Sequence, residues 1–132
     1  MATELPLGES KRDFGRYVND VHSRIHPFFA DQFLESLSPL PSSDPLNGPL
    51  AAEVAIVVDG RSGKLEYAVV TRSSDVTVFD EGARDSVVRA FPSPPPPATC
   101  WSSDGRVYFT WDFHRGQEAC GTWNARPHKL SF

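Results

Sequence analysis

The polar and apolar positions of this chain follow two periods, and each change of period marks a predicted element. Over residues 13–37 the apolar side chains recur every three or four positions, which indicates a helix with one buried face. Pro27 interrupts that stripe and predicts a kink or a division into two short helices, because proline removes a helical hydrogen bond. The helical period returns over residues 79–91 and ends at Pro92.

Strand-like patterns occupy three other stretches. Residues 51–59 are rich in Val and Ile, residues 64–72 form a second strand-like stretch, and the glycine-containing turn between them predicts a hairpin. Residues 105–114 alternate between apolar and polar side chains, as a strand with one buried face does. The order helix, strand, strand, helix, strand predicts an α+β fold, in which the helices pack on one face of a three-stranded antiparallel sheet.

The two periods also predict which side chains form the core. The first helix contributes Phe14, Val18, Val21, Ile25, Phe29 and Phe33. The hairpin contributes Val54, Ile56, Val58, Tyr67 and Val69. The second helix and the third strand contribute Phe79, Ala83, Val87, Val107, Phe109, Trp111 and Phe113.

A proline-rich stretch over residues 92–98 separates the second helix from the third strand. Such a stretch is typical of a disordered linker or of a stiff strut, since polyproline is extended and rises about 3.1 Å per residue. We favour the strut, because the part of the chain after it is too short to fold alone and too aromatic to stay solvated. We therefore predict one domain over residues 13–132, with a flexible lead-in at 1–12 and a C-terminal extension at 115–132.

Charge and hydropathy exclude several classes of function. The chain has a net charge of −4 and no basic cluster, which argues against binding to nucleic acid or to an anionic membrane surface. No apolar run approaches the roughly 20 residues that span a bilayer, and the first residues lack the features of a signal peptide. We expect either a cytosolic chain or a fragment of a longer exported protein.

Candidate catalytic and metal-binding residues are few. His22 and His26 have the four-residue spacing of a two-histidine metal site, but the sequence shows no third ligand at a spacing typical of metal-binding motifs. Cys120 with His114 or His128 is the enzyme alternative, a thiol nucleophile beside a base. The sequence has no nucleophile elbow, phosphate-binding glycine loop or clearly spaced acidic pair. We therefore expect no enzyme activity, no cofactor and no metal.

Several segments resemble the C-terminal domain of the TonB/TolA family of energy-coupling proteins. The stretch similar to the leading helix of the TolA-like form is VNDVHSRIHPFFADQFLESL. The stretches similar to the common core are VVTRSSDVTVFDEGARDSVVRAFPSPPPP and SSDGRVYFTWDFHR. The features that carry the resemblance are Ser-Ser after the second strand, Phe-Asp at the start of the helix, prolines after it, and Asp-Gly before an aromatic strand.

The resemblance implies a non-enzymatic, periplasmic protein-interaction domain of a TonB-like protein. It extends from Phe14 to Leu130, although the membrane anchor and spacer of family members are missing from this sequence. Such a protein is anchored in the inner membrane and links a proton-driven motor there to an outer-membrane or envelope partner. The link serves transport, or force transfer such as motility. A partner segment is captured by strand addition, in which an extended peptide pairs with a sheet edge.

In this chain the third strand is the predicted partner-binding edge. Its residues are Arg106, Val107, Tyr108, Phe109, Thr110, Trp111, Asp112 and Phe113. We expect Tyr108, Thr110 and Asp112 to read the partner. The alternative is that the tail over residues 119–132 folds back and covers this edge. Exposed edges also predict that two copies can pair as a strand-swapped dimer.

Cys100 and Cys120 flank the third strand. In the periplasm that the resemblance implies, the two thiols would oxidise, and a disulfide would pin the tail to the start of the strand. Two reduced thiols are the alternative. The even cysteine count and the envelope setting favour the bridge.

A static envelope scaffold or a peptidoglycan-binding module without a motor is the second functional hypothesis. Trp101, Trp111 and Trp123 are the side chains that would stack on sugars in such a module. We expect instead that Trp111 lies in the core and that the other two pack against the tail.

Overall fold

The computed structural model describes residues 2–116 and 119–132, and this part of the chain folds into helices packed on a β-sheet. The strands are β1 (Thr3–Leu5), β2 (Leu50–Asp59), β3 (Leu65–Arg72), β4 (Arg106–Arg115) and β5 (Ala125–Ser131). The helices are α1 (Lys11–His26), which continues as a π-helical segment (Pro27–Leu34), and α2 (Thr77–Ala90). The predicted α+β class is confirmed.

The strands form one antiparallel sheet in the order β1-β5-β4-β2-β3. The prediction of three strands is wrong, because both ends of the chain add a strand. β5 pairs with β4 over Tyr108–Trp111, and β1 pairs with β5. Over Tyr108–Trp111, backbone donors and acceptors on the second side of β4 therefore bond within the chain instead of remaining open.

Helix α1 buries its apolar stripe between the sheet and α2. The buried residues of the stripe are Phe14, Tyr17, Val18, Val21 and Ile25. After His26 the helix widens into π-helical turns, since Pro27 has no N–H to donate to the carbonyl four residues earlier. The interruption predicted at Pro27 is thus a change of helical pitch. None of the helices in the described ranges is long and apolar enough to cross a membrane.

The core lies between the helices and one face of the sheet, and two predicted core residues lie outside it. The largest fully buried side chains are Trp111, Phe14, Phe29, Phe79, Phe109 and Phe113. Tyr67 and Val69 are instead 49% and 48% exposed. Their partners across the hairpin are Val57 and Ala55, on the face of β2 opposite to the helices. The hairpin register therefore turns both side chains away from the core.

The turn from β3 into α2 is held by Asp80. Its carboxylate accepts hydrogen bonds from the Ser74 N–H at 2.9 Å, from the Ser74 hydroxyl at 2.7 Å and from the Ser73 hydroxyl. Burial opposes ionisation, but these hydrogen bonds outweigh it and hold the pKa of Asp80 below its ordinary value. The Ser-Ser and Phe-Asp features of the sequence thus meet at one end of β3.

The proline-rich segment packs along the structure. Ser93 is buried, its N–H donates to the Gly63 carbonyl at 2.9 Å, and its hydroxyl lies 2.7 Å from the Tyr17 hydroxyl. The Trp101 indole N–H donates to the Pro96 carbonyl at 3.1 Å. These contacts fix the path of the chain from the end of α2 to the turn before β4.

Candidate partner-binding edge

The strand predicted to bind a partner lies inside the sheet. β4 pairs with β2 along its length and with β5 over Tyr108–Trp111. The prediction that Arg106–Phe113 forms a sheet edge is therefore wrong, and the alternative, in which the tail covers the strand, is the arrangement observed. The physical reason is that β5 supplies backbone partners to groups that a bare edge would leave exposed.

The outward side chains of β4 already have partners within the chain. Tyr108 donates its hydroxyl hydrogen to Asp104, and its ring lies 5.7 Å from that of Phe132, centroid to centroid. Arg126 of β5 donates to Asp112 at 3.4 Å. Burial and the hydrogen bond to Asp104 raise the pKa of Tyr108 to about 12, so the hydroxyl remains a donor at neutral pH. The side chains expected to read a partner thus contact the chain's own tail and turns.

Contacts at both ends of the tail hold it against the rest of the sheet. The Trp111 indole N–H donates to the Cys120 carbonyl at 3.0 Å, where both residues are buried. Nearer the C-terminus, the Ser103 N–H donates to the Leu130 carbonyl at 2.9 Å. The Leu130 N–H in turn donates to the Ser102 hydroxyl at 2.8 Å. Uncovering β4 would therefore break core contacts as well as strand pairing.

The long edge that remains open is β3. It pairs with β2 on one side, and no strand of the described ranges lies on its other side. The opposite edge of the sheet is β1, which has only three residues. On the outer face of the sheet, Tyr67 and Val69 of β3 are half exposed, and Tyr67 lies beside Val57 and Tyr108. An eight-residue edge that carries exposed apolar side chains is suited to binding an extended peptide.

Charged side chains limit which peptides β3 can accept. Arg84 of α2 donates from Nε to the Ala68 carbonyl at 2.8 Å, so one carbonyl in the middle of the strand already has a partner. Glu66 near the start of the strand pairs with Arg106. Arg72 at its end lies 3.6 Å from an acidic side chain of β2. Charges placed on an edge strand discourage unselective pairing with other strands.

The two cysteines do not form the predicted disulfide. Both are buried thiols, and the Cys120 sulfur lies 3.7 Å from Nδ1 of His26 in α1. Cys100 lies in the short helical turn before β4. Cys120 lies beside α1 instead, so each thiol has different neighbours. Burial raises the pKa of Cys100 to about 11, which leaves that thiol protonated and unreactive at neutral pH.

A cluster that the sequence did not group is formed by His22, His26 and Cys120. One ligand atom from each lies within 4.8 Å of the others. The sequence had instead placed Cys120 beside His114 or His128, and His128 of β5 pairs with Glu4 of β1, Nδ1 to Oε1, at 2.7 Å. The cluster has the residue types of a transition-metal site.

The three tryptophans have three different environments. Trp111 is fully buried, as predicted, and Trp101 is partly buried against the core. Trp123 is 88% exposed, so the expectation that it packs against the tail is wrong. It lies on the rim of a surface groove that also contains Lys11 and Arg12 of α1. A single exposed tryptophan on a groove is a feature of ligand-binding surfaces.

No protein-family model, curated protein or solved structure matches this chain. The resemblance to the TonB/TolA family therefore rests on the sequence features alone and stays a prediction.

Two parts of the site carried little signal in the sequence. The strand β5 contains Pro127, which disfavours a strand prediction from the sequence, and its pairing with Tyr108–Trp111 is what identifies it as a strand beside β4. Cys120 lies 94 positions from His26 along the chain. The spacing of His22 and His26 was the one signal that pointed to their cluster.

Proposed function

We propose that this chain is a non-enzymatic protein-interaction domain that captures an extended partner segment by strand addition at β3. The observation that carries the proposal is that β3 is an open eight-residue edge with Tyr67 and Val69 half exposed, whereas β4 is covered. The partner's backbone would bond to β3. Its alternate side chains would pack beside Tyr67 and Val69 on the outer face of the sheet.

The setting of this proposal is the one that the TonB/TolA resemblance implies. The order α1, β2, β3, α2, β4 supports a TonB-like fold with added strands β1 and β5. In that setting the domain is periplasmic and belongs to a protein anchored in the inner membrane. It links a proton-driven motor to an outer-membrane or envelope partner for transport or force transfer. Strand addition suits such a role, because the main-chain hydrogen bonds of a paired strand share a load applied along it.

Site-specific photo-crosslinking in cells that produce the protein tests the proposal. One probe replaces Val69 on β3, and the matched control replaces Thr110 on β4. We expect a crosslink from position 69 to another protein, which mass spectrometry identifies, and crosslinks from position 110 to the chain's own β5. A partner captured at position 110 and not at 69 would mean that the tail is released and that β4 binds. Crosslinks at position 69 to a second copy alone would indicate a dimer through β3 instead of partner capture.

The exposed Trp123 favours a second candidate, a wall-binding module or static envelope scaffold. The experiment is co-sedimentation of the purified chain with isolated peptidoglycan. This hypothesis expects Trp123→Ala to abolish sedimentation, whereas the control Phe132→Ala, which removes another exposed aromatic ring, leaves it unchanged. Equal sedimentation of both variants and the wild type would remove the support that Trp123 gives.

A further inference from the structure

The cluster of His22, His26 and Cys120 has the geometry of a metal site and plays no part in the proposed binding edge. The two histidines are four residues apart on α1, and their rings meet edge to face with centroids 5.3 Å apart. Cys120, which is 1% exposed, approaches from the segment after β4. Two elements that are distant in the sequence therefore bring three ligand side chains to one point.

The distances within the cluster fit a tetrahedral ion. Zinc–sulfur bonds of about 2.3 Å and zinc–nitrogen bonds of about 2.0–2.1 Å place a sulfur and a nitrogen ligand about 3.5 Å apart. The Cys120 Sγ and His26 Nδ1 are 3.7 Å apart, and the widest separation among the three ligand atoms is at most 4.8 Å. For all three atoms to bind one ion, the histidine side chains must rotate so that the more distant ligand atoms come closer.

The outer surroundings of the cluster also resemble those of a metal site. The second ring nitrogen of His26, Nε2, lies 3.6 Å from a carboxylate oxygen of Asp31 in the π-helical segment. The separation is longer than a hydrogen bond, but a carboxylate on this side of the ring attracts a proton on Nε2 and so favours the tautomer that leaves Nδ1 to bind a metal. The His26 side chain is 46% exposed, which gives an ion a path from solvent.

We propose that His22, His26 and Cys120 bind one Zn²⁺ ion through two imidazole nitrogens and one thiolate, with water as the fourth ligand. Zinc is the ion of choice because it takes nitrogen and thiolate ligands in tetrahedral sites, and this set offers both. On binding, the Cys120 thiol gives its proton to solvent as the sulfur–zinc bond forms. The ion would join α1 to Cys120 at the start of the tail, the residue for which the sequence had predicted a disulfide to Cys100.

The experiment is a titration of the purified, metal-free full chain with Zn²⁺ alone, followed by Co²⁺ as a spectroscopic substitute. We expect one Zn²⁺ per chain and, with Co²⁺, a thiolate-to-metal charge-transfer band together with the intense visible bands of four-coordinate cobalt. Zinc should also raise the melting temperature, since an ion that binds the folded chain stabilises it.

The chain supplies a matched control for every ligand. His22→Gln, His26→Gln and Cys120→Ser should each weaken Zn²⁺ binding by at least ~100-fold, above the ~10–100-fold typical of outer-sphere changes. The controls make the same kinds of substitution at histidines and a cysteine outside the cluster: His114→Gln, His128→Gln and Cys100→Ser. These should bind Zn²⁺ as the wild type does.

Asp31→Asn tests the orienting carboxylate, and it should weaken binding by ~10–100-fold while the cobalt charge-transfer band persists.

Cys120 is buried, so the binding result for Cys120→Ser counts only if circular dichroism shows that this variant folds. If Cys120→Ser does not fold, the Zn²⁺ affinities of His22→Gln and His26→Gln test the site. The proposal is overturned if the wild type binds no Zn²⁺, if bound Co²⁺ lacks the thiolate band, or if control variants lose as much affinity as ligand variants.

Discussion

β3 and β4 lie on either side of the same strand, β2, and they differ in almost every other respect. β4 has neighbours on both sides, buries four large side chains and contacts the tail through its outward residues. Within the described residues β3 pairs with one strand, and it exposes Tyr67 and Val69. The strand that contributes most to the core is thus the one least available to a partner. A partner-binding edge that is separate from the main core strand can change its side chains at little cost in stability.

The sharpest contrast should be seen in large-to-small substitutions on the two strands. Trp111→Ala on β4 should lower the free energy of unfolding by about 3–5 kcal/mol, because it leaves a cavity in the core and removes the hydrogen bond to the Cys120 carbonyl. Tyr67→Ala on β3 should cost about 1 kcal/mol or less, since the ring is half exposed. Urea denaturation measures both. Similar losses for the two variants would contradict the division of roles.

The glycines in the turns before β3 and β4 differ in the space around them. Gly63 before β3 and Gly105 before β4 both have left-handed backbones, with φ of 75° and 81°. A Cβ at position 63 would lie 2.0 Å from the Ser93 carbonyl oxygen, whereas one at position 105 has nothing within 4 Å. Gly105→Ala should therefore cost only the backbone strain of about 1–2 kcal/mol.

Gly63→Ala should cost more than about 2 kcal/mol, because the overlap with Ser93 adds to the same backbone strain. The difference between the two variants in urea denaturation isolates the contact between the hairpin turn and the proline-rich segment. Equal losses would show that this contact does not constrain β3.

The carboxylate of Asp80 in α2, which holds the turn after β3, should make stability depend on pH. The pKa of Asp80 is lower in the folded chain than in the unfolded chain, so its contribution is complete above the unfolded value of about 4. That contribution is lost as the pH falls through the folded pKa. Asp80→Asn should cost about 1.5 kcal/mol at pH 7, in line with hydrogen bonds to a charged acceptor, and the gap to wild type should close in acid. Denaturation at a series of pH values measures it. A gap that stays constant down to pH 2 would contradict this assignment.

The smallest effect on stability should accompany the largest effect on binding. Val69→Lys places a charge on the open edge and should change the free energy of unfolding by less than about 0.5 kcal/mol, since the side chain is half exposed. The same variant should abolish the partner crosslink formed from a probe at neighbouring Tyr67. Partner capture that survives this charge would argue against binding along β3.

Local periodicity predicted the parts of the fold that depend on near neighbours. The stripe of α1, the hairpin and the alternation of β4 are properties of a few consecutive residues, and the structure has them at nearly the expected positions. The inward direction expected of Tyr67 and Val69 failed because the β2–β3 register shifts at Val57 and Val58. A shift of one residue turns a strand's side chains to the other face.

Contacts between distant segments were beyond the reach of local patterns. The addition of β5 to β4, and of β1 to β5, joins the two ends of the chain. The meeting of Cys120 with His26 depends on how the tail crosses α1. Each of these is fixed by the packing of the whole domain, and each changed the candidate site.

Amide hydrogen exchange of the purified chain, followed residue by residue by NMR, distinguishes a covered β4 from an open one. We expect the amides over Tyr108–Trp111 to exchange only through global unfolding, because this part of β4 is paired on both sides. The amides of β3 that do not face β2 should exchange orders of magnitude faster. Rapid exchange at alternate positions of β4, with β3 protected throughout, would contradict the claim that the tail covers β4 and leaves β3 as the open edge.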